Sequence, residues 1–421
     1  MRRFLRAVPA ITVGLSMVAT SVVATSAQGD ATPGASPGAL PAGCDVVAEG
    51  LINPRYVAVA DDGTLYITEA GNGGDETVAP PEPEEAPQVA ATPKDGEATP
   101  EDGEATPEGE EGAAEGDEAP PVTRGFTGQL TAVSPDGEQT VVADGLPSYN
   151  EGVGPTGIAL GEGVVWISVG GAAATLGADP LENENSILAV DLATGEAAQV
   201  AELGSFELEN NPDGTDVNPN LYGMDLGADG LLYVNDAGGN TLYSVDPATG
   251  EFALVGVVPG PALPGEAAQP ADATPVADEE PGGEIQPVPT GLDVGADGNV
   301  YVVTLGALAP EASTVLIAQA DGTFVDVATG LTVGIGVALG PDGELYVSQL
   351  ATFVGEAPGP GNVVRIGEDG SFETVVDGIP FAHGITFDDE GNLYVIASST
   401  AFGPPPAEPN GQVLRCDGIA A

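Results

Sequence analysis

Leu221-Tyr222-Gly223-Met224-Asp225-Leu226, a turn at Asp229-Gly230, then Leu232-Tyr233-Val234-Asn235: the reading of this stretch decides the fold. An apolar strand enters past a small residue. Asp-Gly supplies a positive-φ turn, and a strand centred on an aromatic residue runs back. The pattern recurs along the chain. Residues 54–59 turn at Asp62-Gly63 into 65–68, and 155–160 turn at Gly163 into 165–168. Further on, 289–294 turn at Asp297-Gly298 into 300–303, 334–339 at Asp342-Gly343 into 345–348, and 382–387 at Glu390-Gly391 into 393–396. Two more strands fit between copies, as in 241–245 and 251–255, or 362–366 and 372–376. Four strands per unit, six units and no convincing helix predict an all-β chain, a six-bladed β-propeller with four antiparallel strands per blade.

The last two gaps between turn glycines, 298 to 343 and 343 to 391, set a period of about 45 residues, as a blade requires. Longer gaps hold insertions. Residues 71–124 carry a seven-residue repeat, Ala91-Thr92-Pro93-Lys94-Asp95-Gly96-Glu97 and two followers. Its prolines forbid a coiled coil, and its acidity predicts a disordered loop. Residues 259–286 are read as a smaller insertion of the same kind.

The sixth unit runs out of chain after 412–416, one strand short. Cys44-Asp45-Val46-Val47-Ala48 supplies the missing strand, so the N- and C-terminal strands share the last blade. On the template of the fifth unit, Cys416 stands for Ile366 and Cys44 for Glu373, facing positions of a hairpin. A Cys44–Cys416 disulfide is therefore expected, and it fits an exported compartment.

Export is read from the N-terminus. Arg2, Arg3 and Arg6 precede an apolar run and then Thr25-Ser26-Ala27, giving a signal peptide over 1–27 with cleavage near Ala27. Residues 28–43 are a low-complexity linker, and 44–421 the propeller. Cys44 lies too far beyond the apolar run for a lipidated cysteine, and no stable membrane insertion is expected. With 65 acidic against 8 basic residues, the net charge is -57. Such a chain repels phosphate backbones, which excludes nucleic acid as a partner. One histidine and two cysteines exclude polyhistidine and thiolate metal cages. No cofactor is expected.

Glu209-Asn210-Asn211-Pro212-Asp213-Gly214, Asn218-Pro219-Asn220-Leu221-Tyr222-Gly223, Asn235-Asp236-Ala237-Gly238-Gly239-Asn240-Thr241-Leu242, Pro287-Val288-Pro289-Thr290-Gly291 and Gly50-Leu51-Ile52-Asn53-Pro54-Arg55 together resemble the ScyD/ScyE family. The resemblance implies an exported bacterial propeller related to NHL-type repeats. It transfers no reaction and no catalytic residue.

Gluconolactonase-like propellers hold a calcium-type cation on the channel axis with carboxylate and amide ligands. Here the corresponding positions are Arg55, Thr156, Tyr222, Thr290, Ile335 and His383, which excludes that metal site. Gly152-Val153-Gly154-Pro155-Thr156-Gly157 enters a strand rather than a helix and is a turn. Gly34-Ala35-Ser36-Pro37-Gly38 falls in the linker, outside a nucleophile-elbow context. The candidate ligand-binding residues are Arg55, Tyr222 and His383 at one channel mouth, with Asn220, Asn235, Asp236 and Glu69 nearby. They suit an anionic or phenolic small molecule, unless they simply fill the channel. Residues 210–213 read as a loop rich in turn formers, the alternative being a cation held by carbonyl and carboxylate oxygens. The functional expectation is a non-enzymatic module for a small molecule or another exported protein. Its alternatives are a secreted hydrolase or oxidoreductase acting on a lactone, sugar or phenolic substrate, and an envelope scaffold. The sequence leaves the oligomeric state open.

Overall fold

The computed structural model describes residues 40–78, 121–261, 285–354, 357–399 and 410–421. The range read as a signal peptide, nearly all of that read as a linker, the seven-residue repeat and the centre of the range read as a second insertion lie outside the described residues.

Six sheets of four principal strands form a closed propeller. Blade I orders Pro54–Val59, Leu65–Glu69, Val122–Val133 and Gln139–Tyr149 from the axis outward. Blade II follows with Pro155–Gly161, Val164–Val169, Ser186–Asp191 and Ala197–Glu202. Blade III is Leu221–Leu226, Leu232–Asp236, Thr241–Val245 and Phe252–Val257. Blade IV is Pro289–Val294, Val300–Thr304, Ser313–Ala318 and Phe324–Leu331, and blade V is Gly334–Leu339, Leu345–Gln349, Gly361–Ile366 and Phe372–Ile379. Blade VI takes Ile385–Phe387, Leu393–Ala397 and Gly411–Cys416, and its outer strand is the N-terminal Cys44–Leu51.

The expected closure is present. Cys44 pairs with Cys416 in the antiparallel ladder, and their sulfurs are bonded at 1.99 Å. The fifth-blade template is off by one residue, because Ile366 faces Phe372 and Glu373 faces Arg365. The staple forms because blade VI keeps the register of blade V, with Cys44 at the place of Phe372 and Asp45 at that of Glu373.

Strand pairing also reaches into the range read as the first insertion. Glu76–Val78 pairs with the start of the long Val122–Val133 strand, Val78 opposite Val122. The sequence reading drew that boundary from acidity and missed the short β segment. Two short helices, Ala173–Leu176 and Gly204–Asn210, also interrupt the strands.

The core lies between blades. Leu130, Ile167, Val165 and Leu188 pack in the seam between blades I and II, and Leu221, Leu232, Val234 and Tyr243 fill the next. Their side chains alternate in and out along each strand, which is why every blade carries the same apolar pattern. Among the described residues no helix is long and apolar enough to cross a membrane.

Candidate functional site

Each innermost strand enters with a residue whose carbonyl turns toward its neighbour. In order around the ring these residues are Arg55, Thr156, Tyr222, Thr290, Ile335 and His383, and each carbonyl accepts a hydrogen bond. Thr68 donates to Thr156 O at 2.5 Å, Ser168 to Tyr222 O, and Asn235 Nδ2 to Thr290 O at 3.4 Å. Ser348 donates to His383 O at 2.5 Å, and the Gly384 amide to Arg55 O at 3.0 Å. Tyr56 OH donates to Ile335 O, in blade V, at 2.8 Å.

The next position is glycine in five blades: Gly157, Gly223, Gly291, Gly336 and Gly384. A Cβ on Gly291 would stand 2.6 Å from Val337 N, and one on Gly384 2.6 Å from the Tyr56 ring. The inner strands approach too closely for any side chain. Blade I alone carries a large residue there, Tyr56, which is 6% exposed and edge-on to both Tyr222 and His383.

Arg55, Tyr222 and His383 converge as expected. His383 Nδ1 lies 2.7 Å from Arg55 O, a carbonyl that can only accept, so the proton sits on Nδ1. Nε2 is then a bare lone pair. It accepts from Tyr222 OH at 2.8 Å and from Arg55 Nη1 at 3.2 Å. Arg55 also donates to Ser399 Oγ at 3.2 Å and, through Nη2, to Gly152 O. The Tyr222 ring stacks on the imidazole at 5.8 Å between centroids.

Burial, then the Arg55 charge, holds His383 well below its ordinary pKa. Burial pushes Tyr56 well above the usual phenol range and raises Tyr222. It also lowers Arg55, against the pull of the two tyrosines. The imidazole is therefore neutral, and its basic nitrogen is already occupied.

The other four predicted residues lie between strands, off the channel axis. Glu69 accepts from Ile52 N at 2.5 Å, Gln129 Nε2 at 2.8 Å and Thr131 Oγ1 at 2.5 Å, tying the entry of blade I to its third strand. Asp236 Oδ1 accepts from the amides of Asn220, Gly238 and Gly239. Gln349 plays the same part in blade V, accepting from Thr332 N at 2.6 Å. Asn235 reaches the carbonyls of Thr290 and Gly291.

Two features escaped the sequence reading. Asp225 and Asp293 occupy the same repeat position on neighbouring inner strands. Asp225 accepts from Val294 N at 2.9 Å and Asp293 from Leu339 N at 2.5 Å, each bridging to the next blade. Burial raises both carboxyls, and the neighbouring Asp293 raises Asp225 further, so the pair retains a proton. The shared position in the repeat was the signal available. The second feature is Glu207, fully buried on helix Gly204–Asn210. Burial and the facing Asp236, Asp213 and Asp216 push it up to about 8, and burial brings Asp236 to about 6. Among the described residues no group of three or more His, Cys, Asp or Glu is arranged to hold a metal.

No family model matches this chain, and no curated protein does. Solved structures do. Virginiamycin B lyase from Staphylococcus aureus, crystallised with quinupristin, is 13% identical over 88% of this chain and 98% of its own, with a TM-score of 0.45. Regucalcin from Agrobacterium tumefaciens, described as a calcium-binding protein, is 12% identical over 89% of this chain and 93% of its own, with a TM-score of 0.48. At this level of likeness no activity carries over to this chain.

Proposed function

We propose that this chain is an exported propeller of the ScyD/ScyE type that serves as a non-enzymatic binding module, and that another exported protein, rather than a channel-bound small molecule, is its partner. One observation carries this reading. The three candidate side chains at the channel mouth are hydrogen-bonded to one another, to Ser399 Oγ and to backbone. Arg55 and His383 are 6% and 1% exposed, and Tyr56 spans the ring below them. A ligand entering there would have to break those bonds and regain each of them. The Cys44–Cys416 disulfide supports an extracytoplasmic setting, in line with a signal peptide cleaved near Ala27.

A second reading has its own observation. Tyr222 OH on His383 Nε2, with Nδ1 oriented by a carbonyl, is the geometry of an acid–base pair. Incubating the mature protein with lactones, sugars and phenols separates the two. The binding-module reading expects no turnover, with His383→Ala and Arg55→Ala lowering Tm and nothing more. Turnover by the wild type that His383→Ala abolishes would replace it with the secreted hydrolase or oxidoreductase.

A further inference from the structure

Among the described residues the buried carboxylates Glu69 and Glu184 are saturated with donors, whereas Glu207 and Asp236 are not. Glu69 has the three partners given above. Glu184, 4% exposed, accepts from Ala173 N at 2.9 Å, Leu181 N at 2.8 Å and Tyr149 OH at 2.7 Å. Glu207 is 0% exposed, and neither of its oxygens has a hydrogen-bond partner. The second oxygen of Asp236 is equally bare, as are the hydroxyls of Thr241 and Tyr243, all of them buried. Leaving such groups unpaired is costly, and two facing carboxylates add repulsion to desolvation.

These orphan atoms belong to one place. The short helix sets Glu207 over blade III, where Phe206 packs edge-on against Tyr243. Asp236 ends the second strand, Thr241 begins the third, and Gly239 lies in the turn between them. A Cβ on Gly239 would stand 2.8 Å from Glu207 Oε2 and 3.1 Å from Asp236 Oδ2, so both oxygens border the same gap. Glycine keeps that gap open.

We propose that Glu207 and Asp236, assisted by the Thr241 and Tyr243 hydroxyls, bind a calcium-type cation beside blade III, away from the channel axis. The donors are all oxygen, and two carry charge. That set suits a hard divalent ion and disfavours zinc or copper, which prefer nitrogen or sulfur. Glu207 Oε1 and Oε2, Asp236 Oδ2 and the two hydroxyls supply up to five oxygens, and water would fill the remaining positions. The 210–213 segment begins at the last residue of the helix, Asn210, and leaves it through Asn211. Asp213 is engaged there with Asn240 Nδ2 at 2.7 Å and with Thr215, and adds negative potential rather than a free ligand.

The test uses the mature protein freed of metal with a chelator. Calcium should raise Tm by about 5 °C or more at saturation. Terbium should show emission sensitised by Tyr243 and displaced by calcium. Glu207→Gln should abolish the calcium shift while leaving the metal-free Tm equal or higher, because the amide cannot ionise in the buried site and can donate to Asp236. Tyr243→Phe should remove the sensitised emission and keep most of the calcium shift. If calcium leaves the wild-type Tm unchanged, the site does not exist. If Glu207→Gln responds to calcium as the wild type does, the ion binds elsewhere on this acidic chain, and the proposal falls.

Discussion

At the scale of single residues, the neck of the ring is set by glycines that cannot be replaced. Gly291 lies against Val337 N, so Gly291→Ala forces two inner strands apart. The expected cost is about 1–3 kcal/mol, read as a lower urea midpoint. His383 makes a pH prediction. Burial and Arg55 keep the folded imidazole neutral, while the unfolded chain takes up a proton near pH 6.5. Stability therefore falls as pH drops below that value, by up to about 1.4 kcal/mol per pH unit. His383→Gln should lose this dependence between pH 7 and 5 at some cost in stability at pH 7. Denaturant titrations at both pH values check it, and parallel slopes in variant and wild type would contradict it. The Asp225–Asp293 pair works in the opposite direction. Its folded carboxyls hold a proton that unfolded aspartates release, so their contribution is full in acid and is lost as pH rises through their raised values. Asp225→Asn should flatten the decline in stability as pH rises above the ordinary carboxylate range, read from denaturant titrations.

At the scale of elements, blade VI is the informative one. Its outer strand comes from the N-terminus and its other three from the C-terminus, so nothing in the local chain holds them together. The ladder from Cys44 to Leu51 and one disulfide do so. The bond closes a loop of 372 residues, which in the chain-entropy picture contributes about 6 kcal/mol at most. Cys416→Ser should lower the denaturation midpoint accordingly and open blade VI first. Hydrogen exchange would show early loss of protection in Cys44–Leu51 and Gly411–Cys416. Unchanged protection in both strands would mean that the backbone ladder suffices without the sulfur bridge. The inner strands are held differently. Side chains on second strands reach carbonyls of the next blade, and every innermost strand accepts at least one such bond, from a side chain or a neighbouring amide.

At the scale of the whole molecule, charge dominates. Sixty-five acidic residues face eight basic ones, and of the basic residues Arg55 and Arg124 are buried. Self-repulsion on that surface is screened by ions within about 10 Å at 0.1 M salt and less at higher salt. The urea midpoint should therefore rise between low and molar sodium chloride. A midpoint that does not move would mean that the charges lie too far apart to oppose folding.

Much of this was legible in the sequence because a propeller writes its structure periodically. The aromatic-centred second strands, the Asp-Gly turns and the strand missing from the last unit gave six blades and their closure. The same periodicity brought Arg55, Tyr222 and His383 to one ring, since equal places in a radial repeat must meet at the axis. Asn235, Asp236 and Glu69 were near in sequence yet bond to neighbouring strands and turns rather than to that group, and Asn220 enters through its backbone amide on Asp236. Glu207 was hidden altogether: it stands on a helix outside the repeat, and its facing partner Asp236 belongs to the blade.

Periodicity and cysteine placement thus determined the fold, the blade count and the disulfide by themselves, since each depends on strand pattern and register. The packing of the assembled ring alone decided that the channel residues bond to one another and that the oxygens of Glu207 and Asp236 face a common gap. Hydrogen-bond saturation and burial are properties of atoms from distant segments, and no local pattern in the chain encodes them.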